Sequence, residues 1–336
     1  MDSKQFFPNK VVTVLGAGKF GTAVANLLSP HVSCLFLYTH KAERALASQT
    51  SRSIADQSLA PNIIVTNDLT TALSAASVIF PVVPAAKFRG LMQQIASYLR
   101  PDQICIHGTK GLDVSEHAPL TWGHLFTMSK VIVQETPLRK VGCLAGPNLS
   151  GELAQKHPAV TVVASASSEV LALGEQLLSN DWFRVYPSHD LLSVEMCSVL
   201  KNIFAIGAGI IGGMGYQSNT YAFFLTMSIA EMGDIMAAMG IGKTALFGPA
   251  GLGDLIATCG SKASRNYTIG YRLARGEKLT AILSQAKEVS EGVQTVKLIH
   301  RAMQSCGKQA PITATIYRIL FEECSLDCLY KSLMLI

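Results

Sequence analysis

The chain is short of charge and almost without tryptophan. Only 15% of its residues are Asp, Glu, Lys or Arg, and two are Trp, while 49% are hydrophobic. That balance excludes an intrinsically disordered chain and fits a fold whose sheet is buried on both faces. Runs of one charge sign are missing too. No stretch of five or six basic residues occurs and no basic stripe is interleaved with aromatics, so the net charge of +5 does not read as nucleic-acid binding. It suits a small anionic substrate. Metal-ligand spacing is also lacking. The eight cysteines (34, 105, 143, 197, 259, 306, 324 and 328) are scattered. Cys324 and Cys328 stand four apart, but no second pair or histidine follows at zinc-site spacing. No metal is expected, and all eight read as buried, reduced thiols of a cytoplasmic protein. The N-terminal MDSKQFFPNK has no signal-peptide hydrophobic region. The long uncharged stretches are broken by Pro, Gly, Ser and Thr, so no membrane span is expected.

A chain of 336 residues suggests one to three domains. Short apolar runs rich in β-branched residues recur at 11–15, 33–38, 63–68, 77–83, 103–108, 140–146 and 159–165. Helical patterns such as KFRGLMQQIASYL lie between them, and this alternation predicts βαβ units around a parallel sheet. Near residue 190 the texture changes to long apolar segments with helical spacing. The expectation is an α/β protein: a Rossmann-like doubly wound sheet over 1–190, then an all-α domain over 191–336.

The first run leads straight into GAGKFG and an alanine-rich helix. Gly16, Gly18 and Gly21 match G-x-G-x-x-G in the strand–turn–helix setting that the dinucleotide fingerprint requires. Gly16 allows the tight turn, Gly18 lets a pyrophosphate approach, and Gly21 lets the helix pack on the strand. NAD-specific sites carry an acid at the end of the second strand. Here that end reads Tyr38-Thr39-His40-Lys41, with Arg44 a turn later. These cations favour NADPH, with NADH still possible.

Between Glu195 and Glu231 the only formal charge is Lys201, set among Val199, Leu200, Ile203, Phe204 and Ile206. A buried ammonium must find a partner or face a cavity, and lysines so placed do acid–base work. Asp254, on a glycine-rich turn, is the candidate partner. Arg265 offers a planar fork to a phosphate, with Ser264 and Asn266 as neutral donors. Lys110 follows the fifth strand, where open α/β sheets bind ligands. Asn148, in the Gly146-Pro147-Asn148 loop, is a further donor.

The strings VLGAGKFGTA, TKGLD, LAGPN, VLKNIFAIGAG, AEM, GPAGLGDLIATCGSKASRN and VSEGV together resemble the bacterial-type NAD(P)-dependent glycerol-3-phosphate dehydrogenases over about residues 10–310. The resemblance implies reversible hydride transfer from NAD(P)H to dihydroxyacetone phosphate, giving sn-glycerol 3-phosphate for glycerophospholipid synthesis. It assigns catalysis to Lys201 and Lys110. It assigns substrate binding to Lys110, Gly146, Asn148, Lys201, Asp254, Ser264, Arg265 and Asn266. Cofactor contacts fall on Gly16, Gly18, Lys19, Phe20, Gly21, His40, Lys110, Ser150, Arg265, Val289 and Glu291. A homodimer is implied as well. The chain departs from the family at Ser218, Tyr221 and Met227, where Asp and Arg are common. The alternatives are a ketopantoate reductase or β-hydroxyacid dehydrogenase type of enzyme, or a nucleotide-binding sensor without turnover.

Overall fold

The computed structural model describes residues 7–114, 121–285 and 290–335. It divides into two compact units, residues 1–109 with 128–191, and residues 110–127 with 192–336.

The first unit is built on one eight-stranded sheet. Its strands are β1 (Phe7–Leu15), β2 (Val32–Tyr38), β3 (Ile63–Thr66), β4 (Ala76–Pro81), β5 (Ile104–His107), β6 (Lys140–Ala145), β7 (Ala159–Ser165) and β8 (Phe183–Ser188). Their spatial order is β8-β7-β6-β5-β4-β1-β2-β3. All neighbours pair in parallel except β6 and β7, which run antiparallel. Parallel neighbours need crossovers, and the helices Lys19–Leu28, Ala42–Ser51 and Ala85–Ile95 are among those that supply them. The central strands are buried on both faces, which is why they read as continuous apolar runs. The chain builds outward from β1 in one direction and then, from β4, in the other. The switch point therefore lies at the carboxyl ends of β1 and β4.

Seven of these strands coincide with the apolar runs in the sequence. The eighth, β8, gives no such run. It is an edge strand that buries Phe183 and Val185, exposes Arg184 and Tyr186, and carries Pro187.

Among its described residues, the second unit is helical apart from a two-residue ladder between Asp113–Val114 and Leu125–Phe126. Residues 110–127 group with the helical unit because Leu112 and Leu125 are buried in its apolar core. Helix Leu191–Gly213 is the axis of that core. It is long and apolar enough to cross a membrane by length and composition, but its apolar window is wholly buried inside the protein. Helix Arg265–Ala274 crosses it at glycine contacts. A Cβ on Gly270 would overlap the Ile206 carbonyl oxygen, and one on Gly209 would overlap that of Tyr267. The two helices thus meet backbone to backbone.

Glu231 is buried and caps helix Pro311–Phe321. Its carboxylate accepts the main-chain N–H of Ile312 at 2.7 Å and of Thr313 at 2.8 Å, and the Thr313 hydroxyl at 2.6 Å. Burial is the main influence on its acidity and pushes its pKa up, against these donors. Glu231→Ala leaves three buried donors without an acceptor. It should lower stability by about 3 kcal/mol, read as a shift of the urea midpoint at unchanged slope.

The cysteines split into three groups. Cys105, Cys143, Cys197 and Cys259 are buried and outside any disulfide, whereas Cys34 is partly exposed and Cys306 exposed. Burial pushes the Cys105 and Cys259 thiols far above their ordinary range, so both are unreactive. The expectation of eight reduced thiols fails at Cys324 and Cys328, which form a disulfide. The turn between helices Pro311–Phe321 and Asp327–Leu333 brings them together.

Candidate active site

In the first unit, β1 ends at Leu15 and the glycine loop begins at once. Gly16 has φ of 120°, in the region that favours glycine, and a Cβ there would overlap the Val82 carbonyl oxygen. A Cβ on Gly21 would overlap the carbonyl oxygen of Gly16, so this glycine is what lets helix Lys19–Leu28 start so close to the strand. Gly18 differs. It is the N-cap of that helix, and a Cβ built on it meets nothing within 4 Å. Two glycines are thus demanded by the protein's own packing, and the third leaves open space beside the helix N-terminus. That is the cradle a dinucleotide pyrophosphate needs, and the residues present fit one.

The rest of the loop is anchored locally. Phe20 packs against Gly108, where a Cβ would lie 3.1 Å from its ring. The Lys19 side chain is 72% exposed and 4.0 Å from Asp56. His40 and Lys41 are exposed beyond the end of β2. Arg44 is exposed, and its Nη1 donates to the Ala17 carbonyl at 3.0 Å, which braces the glycine loop.

Also in the first unit, Gly146 has φ of 144° and its missing side chain makes room for Thr161. Asn148 is buried, and its Nδ2 donates to the Thr161 hydroxyl at 2.7 Å. Its Oδ1 is buried with no hydrogen-bond partner. A buried amide oxygen so placed calls for a water or a ligand. Ser150 is the half-buried first residue of helix Ser150–Ala154.

The second unit gathers the charged groups. Lys201 lies on helix Leu191–Gly213 and is 5% exposed. Its Nζ donates to Asp254 Oδ1 at 2.7 Å and to Thr258 Oγ1 at 2.5 Å. Lys110 Nζ donates to the other carboxylate oxygen, Oδ2, at 2.9 Å. Asp254 therefore bridges two ammonium groups, and with both protonated the cluster carries one net positive charge. Asp254 and Thr258 are one turn apart on helix Asp254–Cys259, and the Thr258 hydroxyl donates to Asp254 Oδ1 at 3.2 Å. The turn ahead of the helix is closed by glycine, because a Cβ on Gly251 would overlap the Leu246 carbonyl oxygen.

Burial pushes the pKa of Lys201 down, nearby Lys110 pushes the same way, and Asp254 opposes both. The result is about 8. An ammonium with that acidity holds its proton at neutral pH and can release it to a developing alkoxide.

A second array adjoins Lys201 along its helix. Asn202 and Asn266 sit one turn before Ile206 and Gly270, the residues at the glycine crossing, so the crossing brings them face to face. Asn266 Nδ2 donates to Asn202 Oδ1 at 3.0 Å. Asn266 Oδ1 accepts from the Ser290 hydroxyl at 2.7 Å and from Gly292 N–H at 3.2 Å. Ser264 is the N-cap of helix Arg265–Ala274 and accepts the Tyr267 N–H at 3.3 Å. Arg265 is the exposed first residue of that helix. Glu291 begins helix Glu291–Ser305 and is half-buried, while Val289 lies outside the described residues.

Of the residues singled out in the sequence, the structure brings Lys110, Lys201 and Asp254 into one cluster, and Ser264, Arg265 and Asn266 onto one helix start. Four participants were not singled out: Thr258, Asn202, Ser290 and Gly292. Thr258 had a signal in its four-residue spacing from Asp254. Asn202 had one in its place beside Lys201. Ser290 and Gly292 had none beyond the VSEGV string.

Models of two domains describe nearly the whole chain. The N-terminal domain of NAD-dependent glycerol-3-phosphate dehydrogenase matches residues 11–171, and its C-terminal domain matches residues 190–331. A curated NAD(P)+ glycerol-3-phosphate dehydrogenase from Saccharophagus degradans is 35% identical over 327 residues, covering 96% of this chain and 89% of that protein. One from Macrococcus caseolyticus is 33% identical over 327 residues, covering 96% and 97%. Among solved structures, glycerol-3-phosphate dehydrogenase from Coxiella burnetii superposes with a TM-score of 0.85 at 26% identity, covering 97% of this chain and 98% of that one. A ketopantoate reductase from Ralstonia eutropha reaches 0.59 at 12% identity, which is a likeness of fold alone. With both of its halves matched in order and relatives a third identical along almost its full length, this chain belongs to the NAD-dependent glycerol-3-phosphate dehydrogenase family.

Proposed function

We propose that the protein reduces dihydroxyacetone phosphate reversibly to sn-glycerol 3-phosphate, an activity that feeds glycerophospholipid synthesis. The observation that carries this reading is the buried Lys201–Asp254–Lys110 cluster, with Arg265 and Asn266 at a helix start in the same unit. Bound NAD(P)H supplies the hydride that C2 of the ketone accepts. As the C2 oxygen gains negative charge, the Lys201 ammonium stabilises it and delivers the proton, leaving a neutral amine and an alcohol. Lys110 adds a second positive charge at the same oxygen. Asp254 and Thr258 keep the Lys201 amine aimed. Arg265, with Asn266 and Ser264, takes the phosphate dianion, for which a guanidinium fork is matched in shape. Gly146 and Asn148 belong to the substrate side of this reading. Gly16, Gly18, Lys19, Phe20, Gly21, His40, Ser150, Val289 and Glu291 belong to the cofactor side, with Lys110 and Arg265 serving both.

Within this reading NADPH is the preferred cofactor. No carboxylate follows Tyr38 at the end of β2, and His40 and Lys41 are exposed there. Arg44 is exposed nearby, with its Nη1 on the Ala17 carbonyl. The active form is a homodimer, and light scattering of the purified protein tests it.

The deciding assay follows NADPH and NADH absorbance with dihydroxyacetone phosphate, and with unphosphorylated dihydroxyacetone as control. Oxidation with the phosphorylated ketone alone is expected, faster with NADPH. Cofactor binding without turnover would instead favour the sensor reading, with the departures at Tyr221 and Met227 as its basis.

A further inference from the structure

Asn266 carries a primary amide, whose two ends have opposite chemistry. A main-chain N–H can only donate, so the end facing Gly292 must be the oxygen, and the nitrogen is thereby turned to Asn202. The Gly292 bond alone is long at 3.2 Å, and the Ser290 hydroxyl supplies the shorter one at 2.7 Å. Ser290 is 5% exposed. There is no slack on the other side, because a Cβ on Gly292 would overlap both Oδ1 and the carboxamide carbon of Asn266. The amide is therefore clamped between two donors on its oxygen and one acceptor on its nitrogen, and that acceptor is the neighbour of Lys201.

The geometry points to Ser290 as a positioning residue of the reductase site. Its hydroxyl holds the Asn266 amide in the orientation that keeps Nδ2 on Asn202. It touches neither substrate nor reacting atoms in this scheme and acts only through Asn266. The inference rests on the reading above, in which Asn266 binds substrate phosphate. Without the hydroxyl the amide oxygen keeps only the 3.2 Å Gly292 bond, and its orientation is held less firmly. Substrate binding then pays an ordering cost that the wild-type site has already met.

The test is a double-mutant cycle on the full-length protein, with dihydroxyacetone phosphate varied at saturating NADPH. Ser290→Ala should raise the KM for the ketone about 3–10-fold, the worth of one hydrogen bond, with kcat and the KM for NADPH little changed. Ser290→Thr, which keeps the hydroxyl, should restore the KM to within about twofold. In an Asn266→Ala background, Ser290→Ala should change the KM by less than about twofold, because there is no amide left to hold. Where Asn266→Ala turns over too slowly, calorimetric binding of sn-glycerol 3-phosphate completes the same cycle. An equal loss in both backgrounds, or no loss in the wild-type background, overturns the assignment. Failure of the underlying function is seen separately, as a wild-type protein that does not reduce dihydroxyacetone phosphate at all.

Discussion

Lys201→Ala lowers kcat for ketone reduction by at least ~100-fold while the protein stays folded. In the proposed mechanism the substitution removes the proton donor and a positive charge that stabilises the developing alkoxide. Asp254 still pairs with Lys110, so no carboxylate is left alone in the interior. The pH profile makes the prediction specific. In the proposed mechanism ketone reduction needs Lys201 with its proton, and its pKa is about 8. The wild-type rate of reduction should therefore fall as pH rises through about 8, and the rate of alcohol oxidation should rise through the same point. Both inflections should vanish in Lys201→Ala. Lys201→Arg should fail as well, because a guanidinium keeps its proton throughout this range. Activity within a few-fold of wild type, with the inflection intact, would show that another group is the acid.

The second large effect is expected at Asp254, which is 2% exposed and holds two ammonium groups. Asp254→Ala removes the carboxylate that both ammonium groups share and leaves buried Lys201 with the neutral Thr258 hydroxyl. Losing one partner of a buried ion pair costs about 3–5 kcal/mol when the other stays charged. Lys201 has an escape, since Asp254 is what supports its pKa against burial and Lys110. With the carboxylate gone its pKa falls further, and the amine sheds its proton instead of staying charged and unpaired. The loss of stability should then be largest near pH 6 and smaller near pH 9, because the variant pays for protonating Lys201 only at low pH. The acid form needed for reduction should also become scarce at neutral pH. Urea unfolding at the two pH values checks the first statement, and the shift of the kinetic inflection checks the second. A cost below about 1 kcal/mol at both pH values would mean that Asp254 is not the common partner of the two lysines.

Much of this site was legible in the residues alone, and the reasons are local. The spacing of Gly16, Gly18 and Gly21 after a β-branched run carries its own structural demand. A single ammonium inside an apolar helical stretch needs a partner wherever that helix goes, so Lys201 stood out before any fold was known. Asp254 and Arg265 stood out because a greasy chain does not place such groups beside a glycine turn without use. The strands of the parallel sheet were legible for the same kind of reason, since burial on both faces writes a continuous apolar run.

What the sequence could not express depends on which surfaces meet. Lys110 is 144 positions from Asp254, and nothing periodic links them. Asn202 and Asn266 face each other because two helices cross at Gly209 and Gly270 with no side chain between their backbones. Ser290 reaches Asn266 only because a third helix starts there. Arg44, a candidate cofactor cation in the sequence, also braces the glycine loop through the Ala17 carbonyl. Residues 110–127 joined the helical unit through two buried leucines. Charge, hydrophobicity and glycine spacing act over a few residues, so the order of amino acids shows which groups need partners. The tertiary structure alone decided who those partners are, because close helix crossings join residues far apart in the chain.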